Sequence, residues 1–368
     1  MKICMVAPVP PPYGGIGNWV LLMDEFVKNK KDFEFVHVNT APKSRGLDGR
    51  SLWDRVVVQG FSMFSQNKEL KKALKENKID AIHMTTSGQL AVIRDIMLLK
   101  TAKKKGVPSV YHIRFGRIPE IAKANTREWQ MIKAAMELAT CVIAIDKKTL
   151  AAIKKYAPQV NVCYIPNPFD LEKLESLHLE TVEPLRREIV FVGWVIKTKG
   201  IEELLAAWQD VKDLYPDWKL RIVGPYHEEY FKELSSRFGF ENVIFEGEKK
   251  HDEAMKILSG AEAFILPSYT EGFPNAVLEA MALEKPIIAT DVGAIPDMLE
   301  DGAGIVIPSQ NVEEIKGALE KLFANDDLRR DMAKRAKAKL ERDYTVETVF
   351  SEYDSIWTQM QAKEASLV

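Results

Sequence analysis

Residues 264–282 read FILPSYTEGFPNAVLEAMA, an apolar run that stops at a polar loop and resumes as a helical pattern. Residues 264–266 have strand character, Pro267 and Ser268 end the strand, and Pro274 suits the first helical position, where a missing N–H costs nothing. The helix is therefore expected to start near Pro274. A proline also keeps the preceding Phe273 out of the helical region. That leaves Glu271 on the loop and Glu279 more than a turn into the helix, on no shared face. Two carboxylates thus flank one helix N-terminus from different sides. Backbone N–H groups at such an end attract an anion, Gly272 lets the main chain come close, and ionised carboxylates accept hydrogen bonds from hydroxyls. A ligand with both phosphate and sugar groups suits this geometry. The plainer account is two surface acids favoured by the helix dipole.

At 368 residues and 46% hydrophobic content, the chain exceeds one typical core and implies about two domains. Its three cysteines, Cys4, Cys141 and Cys163, fall in apolar runs without evident pairing or metal-ligand spacing, and they read as reduced core residues of a cytoplasmic protein. The apolar start MKICMVAPV is short for a signal peptide and runs into prolines, and no run approaches the roughly 18–20 apolar residues of a membrane span. The net charge of −2 hides an asymmetry. Through Asp170 there are 27 Lys and Arg against 15 Asp and Glu, a net +12, and the remainder has 24 against 38, a net −14. A basic half suits an anionic partner such as a membrane surface, nucleic acid or phosphorylated substrate. Two solvated surfaces of opposite bias account for it equally well.

In the first half, residues 2–7 read as a buried strand, the loop PVPPPYGGIGN follows, and residues 16–27 have helical periodicity. Strand, glycine loop and helix open a doubly wound sheet, in which ligands lie beyond the carboxyl ends of the strands. Gly14, Gly15 and Gly17 could bring backbone near a phosphate, but Val20 stands where a dinucleotide fingerprint needs its third glycine. Strand-like runs recur at 33–38, 81–84, 109–113 and 141–145, with helical patterns between most of them, which implies a parallel sheet covered on both faces. His112 and Arg114 stand at the end of the 109–113 run, on the ligand-facing edge. Between residues 51 and 78, Trp53, Phe61 and Phe64 precede Lys68, Lys71, Lys72, Lys75 and Lys78. That pattern serves an anionic bilayer contact or a core helix followed by a solvated one. No nucleic-acid-binding motif accompanies the lysines.

Residues 162–170, VCYIPNPFD, close the first sheet, and the charged residues 171–187 read as a linker. A second alternating pattern starts at Glu188, with strands expected at 189–192, 220–223, 243–245, 263–266 and 286–289. Two doubly wound domains, 1–170 and 188–344, would face each other across a ligand cleft. The segment FVGWVIKTKG sets Gly193 at a strand end and Lys199 and Gly200 at the mouth of the next helix, where a lysine can neutralise a departing diphosphate. Gly224 and Pro225 form a turn after the following strand. Phe350, Tyr353, Ile356, Trp357 and Met360 recur at helical spacing after a capping Thr345.

Glu271 and Glu279, with seven residues between them and Gly-Phe-Pro after the first, resemble the paired-glutamate signature of retaining glycosyltransferases of family 4, which have the GT-B fold. The likeness continues through Lys285, Pro286 and Ile287 into ATDVGAIPDMLEDGAGIVIP and, more loosely, over nearly the whole chain. It implies two Rossmann-like domains, acceptor side first and nucleotide-sugar side second, with residues 345–368 returning to the first. It also implies that Glu271 and the backbone of Gly272, Phe273, Pro274, Asn275 and Ala276 meet the donor sugar and phosphate, and that Glu279 holds the ribose. Gly14 and Gly15 would lie against the diphosphate, Gly193 and Lys199 would hold the phosphates, Gly224 would approach the nucleotide, and His112 would stand near the donor sugar. The family's arginine after Gly193 is Trp194 here.

The expected activity is metal-independent, retaining transfer of a sugar from a nucleotide diphosphate donor to a hydroxyl acceptor, with Lys199, Glu271 and His112 as catalytic residues. No cofactor is expected. The partners would be the donor, a sugar or lipid-linked acceptor and, at the inner face of the membrane, an anionic bilayer met peripherally. A catalytically silent GT-B binding subunit and a nucleotide-sugar 2-epimerase are the rival readings.

Overall fold

The computed structural model describes residues 1–11, 14–41 and 52–365, apart from the side chains of residues 52–61, 180 and 363–365. The chain divides into two compact units, Met1–Pro168 with Val349–Val368, and Phe169–Thr348.

The first unit is built on six parallel strands, β1 (Lys2–Ala7), β2 (Glu34–Asn39), β3 (Ala81–Thr86), β4 (Ser109–Ile113), β5 (Cys141–Ala144) and β6 (Val162–Tyr164), in the order β2-β1-β3-β4-β5-β6. β3, β4 and β5 are buried along their whole length, as strands covered on both faces are, and β3 and β4 carry buried polar residues among the apolar ones. Edge strand β2 mixes exposed Glu34, His37 and Asn39 with covered Phe35, Val36 and Val38 instead. The chain leaves β1 through helix α1 (Gly15–Lys28) to β2, then crosses back through α2 (Leu52–Glu76) to β3 and onward through α3 (Ala91–Lys104) to β4. The strand order therefore reverses between β1 and β3, and the carboxyl ends there are the natural ligand position. The terminal helix Val346–Ala365 buries Val349, Phe350, Tyr353, Trp357 and Met360. Phe350 packs 4.9 Å from Phe26 and 5.1 Å from Phe33, and Trp357 lies 6.1 Å from Phe35. Each such ring removes roughly 150–250 Å² from water, so the stripe at helical spacing belongs to this unit's core.

The second unit repeats the plan with β7 (Leu185–Val192), β8 (Lys219–Val223), β9 (Val243–Gly247), β10 (Ala261–Leu266), β11 (Ile287–Thr290) and β12 (Ile305–Ile307), ordered β12-β11-β10-β7-β8-β9. All its pairings are parallel. The chain runs outward from β7 to β9, then returns to β10 on the other side of β7, so here the reversal lies between β7 and β10. The loops after these two strands become neighbours.

Several boundaries differ from the sequence reading. β7 begins at Leu185 rather than Glu188, inside the expected linker, because exposed Arg186 and Arg187 disguise its first turns of alternation. The same stretch also holds a short helix, Leu171–Glu175, capped by the Asp170 side chain on the Lys173 amide. β12 is three residues long, too short for a periodic signal. Cys141 and Cys163 come together on β5 and β6 with their sulfurs 3.8 Å apart, as two of three free thiols. Trp53 and Phe61 lie outside the described side chains. Among the described residues, no helix is long and apolar enough to cross a membrane.

Candidate functional site

The polar loop after β10 is fixed from three directions. Ser268 is fully buried, its carbonyl accepting from Thr290 Oγ1 at 2.6 Å. Tyr269 donates its amide to the Thr198 carbonyl at 2.9 Å and its hydroxyl to Glu203 Oε1 at 2.6 Å, tying the loop to the one after β7. Ala294 donates its amide to the Gly272 carbonyl at 2.9 Å. Close backbone approach makes this possible. Gly200 has φ 72°, and a Cβ there would run into the Pro267 carbonyl, while Gly293, at φ 54°, leaves the same kind of room for the carbonyls of Glu271 and Gly272.

The result is a direct contact between two residues 72 apart in sequence. Lys199 Nζ donates to Glu271 Oε1 at 2.6 Å, and Ser268 Oγ donates to the same oxygen at 2.7 Å. The lysine and glutamate side chains are only 25% and 12% exposed, so solvent screens the pair incompletely. Glu271 Oε2 remains able to accept from a hydroxyl, and two of the ammonium's three N–H donors remain for an anion.

The helix starts one residue later than the sequence implies. It spans Asn275–Ala282, and Pro274 is its N-cap with extended ψ of 119°, not its first helical residue. Proline has no side chain able to cap, and the first turn carries no acid. The amides of Asn275 and Ala276 therefore keep their positive partial charge uncompensated, beside a lysine, which makes this end suited to phosphate. Phe273 is buried, its ring 5.7 Å from Tyr344, and anchors the turn. Glu279, on the second turn of the helix, accepts from His251 Nε2 at 3.0 Å. Gly193 and Gly224 sit just beyond β7 and β8, with the Gly193 amide on the Val223 carbonyl and the Gly224 amide on the Gly247 carbonyl, each at 2.9 Å.

Glu271, Glu279, Lys199, Gly193, Gly224 and residues 272–276 thus belong to one unit, at the carboxyl edge of one sheet. Gly14, Gly15 and His112 belong to the other. Gly14 and Gly15 open α1, with no heavy atom within 4 Å of where a Cβ would stand. His112 ends β4 fully buried, its Nδ1 3.0 Å from His83 Nε2, with Trp19 and Tyr353 packed around the pair. Burial, with Arg114 adding to it, pushes His83 down to about 3 and holds His112 well below 6.5, so both rings are neutral at physiological pH. Arg114 lies 4.6 Å over the Trp19 ring, and Lys197 Nζ is 3.8 Å from Glu202. The side chain in the family's arginine position, Trp194, is 58% exposed.

Sequence reasoning did not anticipate His251, Ser268 or the Thr198–Tyr269 link. Each depends on loops that meet only through the strand order, and no local pattern announces them.

The His251–Glu279 contact has a pH signature. The hydrogen bond that His251 donates to Glu279, and the charge of that carboxylate, raise the His251 pKa above 6.5. The stabilisation this contact gives is therefore fully present below the unfolded value of about 6.5 and is lost as pH rises through the folded value. An NMR titration should place the His251 midpoint above 6.5, and Glu279→Gln should return it toward 6.5. A wild-type midpoint at or below 6.5 would contradict the pairing.

Residues 181–339 match the family Glycosyl transferases group 1. A Haemophilus influenzae protein described as an uncharacterized glycosyltransferase is 26% identical over 301 residues, 80% of each chain. Among solved structures, sucrose-phosphate synthase from Thermosynechococcus elongatus superposes with a TM-score of 0.78 at 17% identity, over 98% of this chain and 99% of that one. An Anabaena protein solved in complex with UDP-glucose superposes over the full length of both chains at 17% identity, with a TM-score of 0.64. The two six-stranded parallel sheets are those of the GT-B fold. Residues 181–339 thus match the group 1 glycosyl transferases in sequence, and the chain as a whole has the GT-B fold.

Proposed function

We propose that the protein moves a sugar from a nucleoside diphosphate sugar to a hydroxyl acceptor with retention of configuration and without a metal. The observation that carries this reading is the Lys199–Glu271 contact at 2.6 Å beside an uncapped helix start, with Glu279 one turn further on. The diphosphate would take the amides of Asn275 and Ala276 and the free donors of Lys199. Ribose hydroxyls would donate to Glu279, displacing His251, and a sugar hydroxyl would donate to Glu271 Oε2. As the bond to the anomeric carbon breaks, negative charge grows on the departing phosphate, and preorganised donors stabilise it there without reorganising. That phosphate oxygen accepts the acceptor's proton on the same face, so the incoming oxygen replaces the leaving one without inversion. His112, neutral and buried, serves as a hydrogen-bonding group through Nε2 and not as an acid. The Anabaena structure that holds UDP-glucose supports a nucleotide-sugar donor.

The exposed Trp194, standing where a cation would help hold the phosphates, favours a second reading in which the donor is bound without turnover. Kinetics separate the two. With UDP-glucose as donor, Lys199→Ala should lower kcat by roughly 10²–10³ with little change in melting temperature, and the product should keep the donor's anomeric configuration by NMR. Glu279→Ala should weaken UDP binding by about 1.5–3 kcal/mol. Parallel losses of melting temperature and activity would make Lys199 structural, and binding without transfer or hydrolysis would favour the silent subunit.

The acceptor is proposed to be lipid-linked, with the basic first unit resting on an anionic bilayer. α2 and α3 border a groove of about 600 Å³ in which Lys71, Lys100, Lys104 and Lys105 surround Ile93 and Met97. Phe64 and Ile93 are 71% and 48% exposed, each about two turns before a lysine of this groove, Lys71 and Lys100. Each basic residue near such a surface contributes on the order of 1 kcal/mol. Co-sedimentation should therefore require phosphatidylglycerol in phosphatidylcholine vesicles, fall as salt rises, and disappear with Lys71→Glu, Lys100→Glu and Lys104→Glu combined. Protein left in the supernatant at low salt would exclude the contact.

A further inference from the structure

Among the described residues, the Glu279 carboxylate has one hydrogen-bond partner, His251, whose Nε2 lies 3.0 Å from Oε1. The two side chains differ in freedom. Glu279 is 13% exposed and sits inside the Asn275–Ala282 helix, whereas His251 is 59% exposed and is the first residue of the helix His251–Gly260. The imidazole can swing into water, and the carboxylate stays where it is.

Opposed fields act on the imidazole. A helix N-terminus disfavours a cation, and two carboxylates favour one, Glu279 at Nε2 and Asp252, whose Oδ1 is 3.7 Å from Nδ1. An imidazolium donates from both ring nitrogens and a neutral imidazole from one, so this arrangement suits the charged ring. The neighbouring charges are engaged elsewhere, with Glu253 on the Lys250 amide at 3.0 Å and Lys249 paired with Glu246 at 3.1 Å. On the strands packed against this helix, Arg186, Arg187 and Glu188 of β7 and Glu262 of β10 lie at the amino ends, beside the other end of the helix. Lys285 binds the carbonyls of Ser259 and Ala261 at that same far end. Residues 179–181 bring no described charged side chain to it. Glu279 is therefore the charge that decides whether His251 keeps its proton.

Ribose offers two adjacent hydroxyls, and a carboxylate accepts from both only when both of its oxygens are free. Once Glu279 turns to ribose, an imidazolium at His251 faces a helix start and the more distant Asp252, and it gives its proton to water. We infer that donor binding and protonation of His251 exclude one another at Glu279, so that the site takes its nucleotide sugar more tightly as pH rises and expels a proton as it does so. The inference rests on the reading of Glu279 as the ribose holder. The sign follows from the free protein, in which Glu279 holds the His251 pKa above 6.5. Competition is full below that raised value and fades as pH rises through it.

The test is isothermal titration of the full-length protein with UDP-, GDP- and ADP-glucose from about pH 5.5 to about pH 8.5, a range that brackets histidine and over which these diphosphates keep one charge. For a donor that binds, affinity should rise about two- to fivefold across the range, the factor for a partly exposed ion pair. At about pH 6.5, buffers of different ionisation enthalpy should report net proton release. His251→Gln, at an exposed position and with an amide that does not titrate, should abolish both the slope and the release. A slope that His251→Gln retains, a wild type with no slope, or affinity that falls as pH rises would overturn the inference and leave the donor reading standing. If none of the three sugars binds, or if Glu279→Ala leaves their binding unchanged, the ribose assignment fails and the competition fails with it.

Discussion

The ion pair between Lys199 and Glu271 exists because three stretches of backbone come closer than side chains allow. Gly200 packs its Cα against the Pro267 carbonyl, and Gly293 does the same against the carbonyls of Glu271 and Gly272. A Cβ at either position would push the loops apart, and the 2.6 Å contact would be lost with them. The electrostatics of the site follows from this packing. Held together, the ammonium and carboxylate neutralise each other while leaving donors and an acceptor free. An arriving diphosphate meets a cation already oriented and a helix start already uncapped, so little reorganisation remains when charge develops.

Much of this could be read from the chain. The doubly wound pattern emerged from buried runs at β-strand length separated by helical periodicity, and most strand boundaries fall within two residues of the reading. Glu271 and Glu279 stood out because proline chemistry forces one onto the loop and the other into the helix. The errors were local and had local causes. Pro274 stands at the N-cap position and not at the first helical one, because its ψ remains extended. Arg186 and Arg187 masked the start of β7, and β12 is too short to announce itself.

The partners of the site were not legible, because they are set by strand order and not by sequence spacing. His251 reaches Glu279 across 28 residues, and Tyr269 reaches Thr198 across 71. His112 was legible by position, but its neutrality comes from the burial it shares with His83, which no motif encodes.

Hydrogen–deuterium exchange with and without saturating UDP tests the central claim, that the diphosphate sits on Lys199 and the start of the Asn275–Ala282 helix. The account predicts that UDP slows exchange in peptides covering residues 193–200 and 271–278, and that Lys199→Ala reduces this protection. If UDP raises the melting temperature but leaves exchange in both segments unchanged, the nucleotide binds elsewhere and the assignment of this site is wrong.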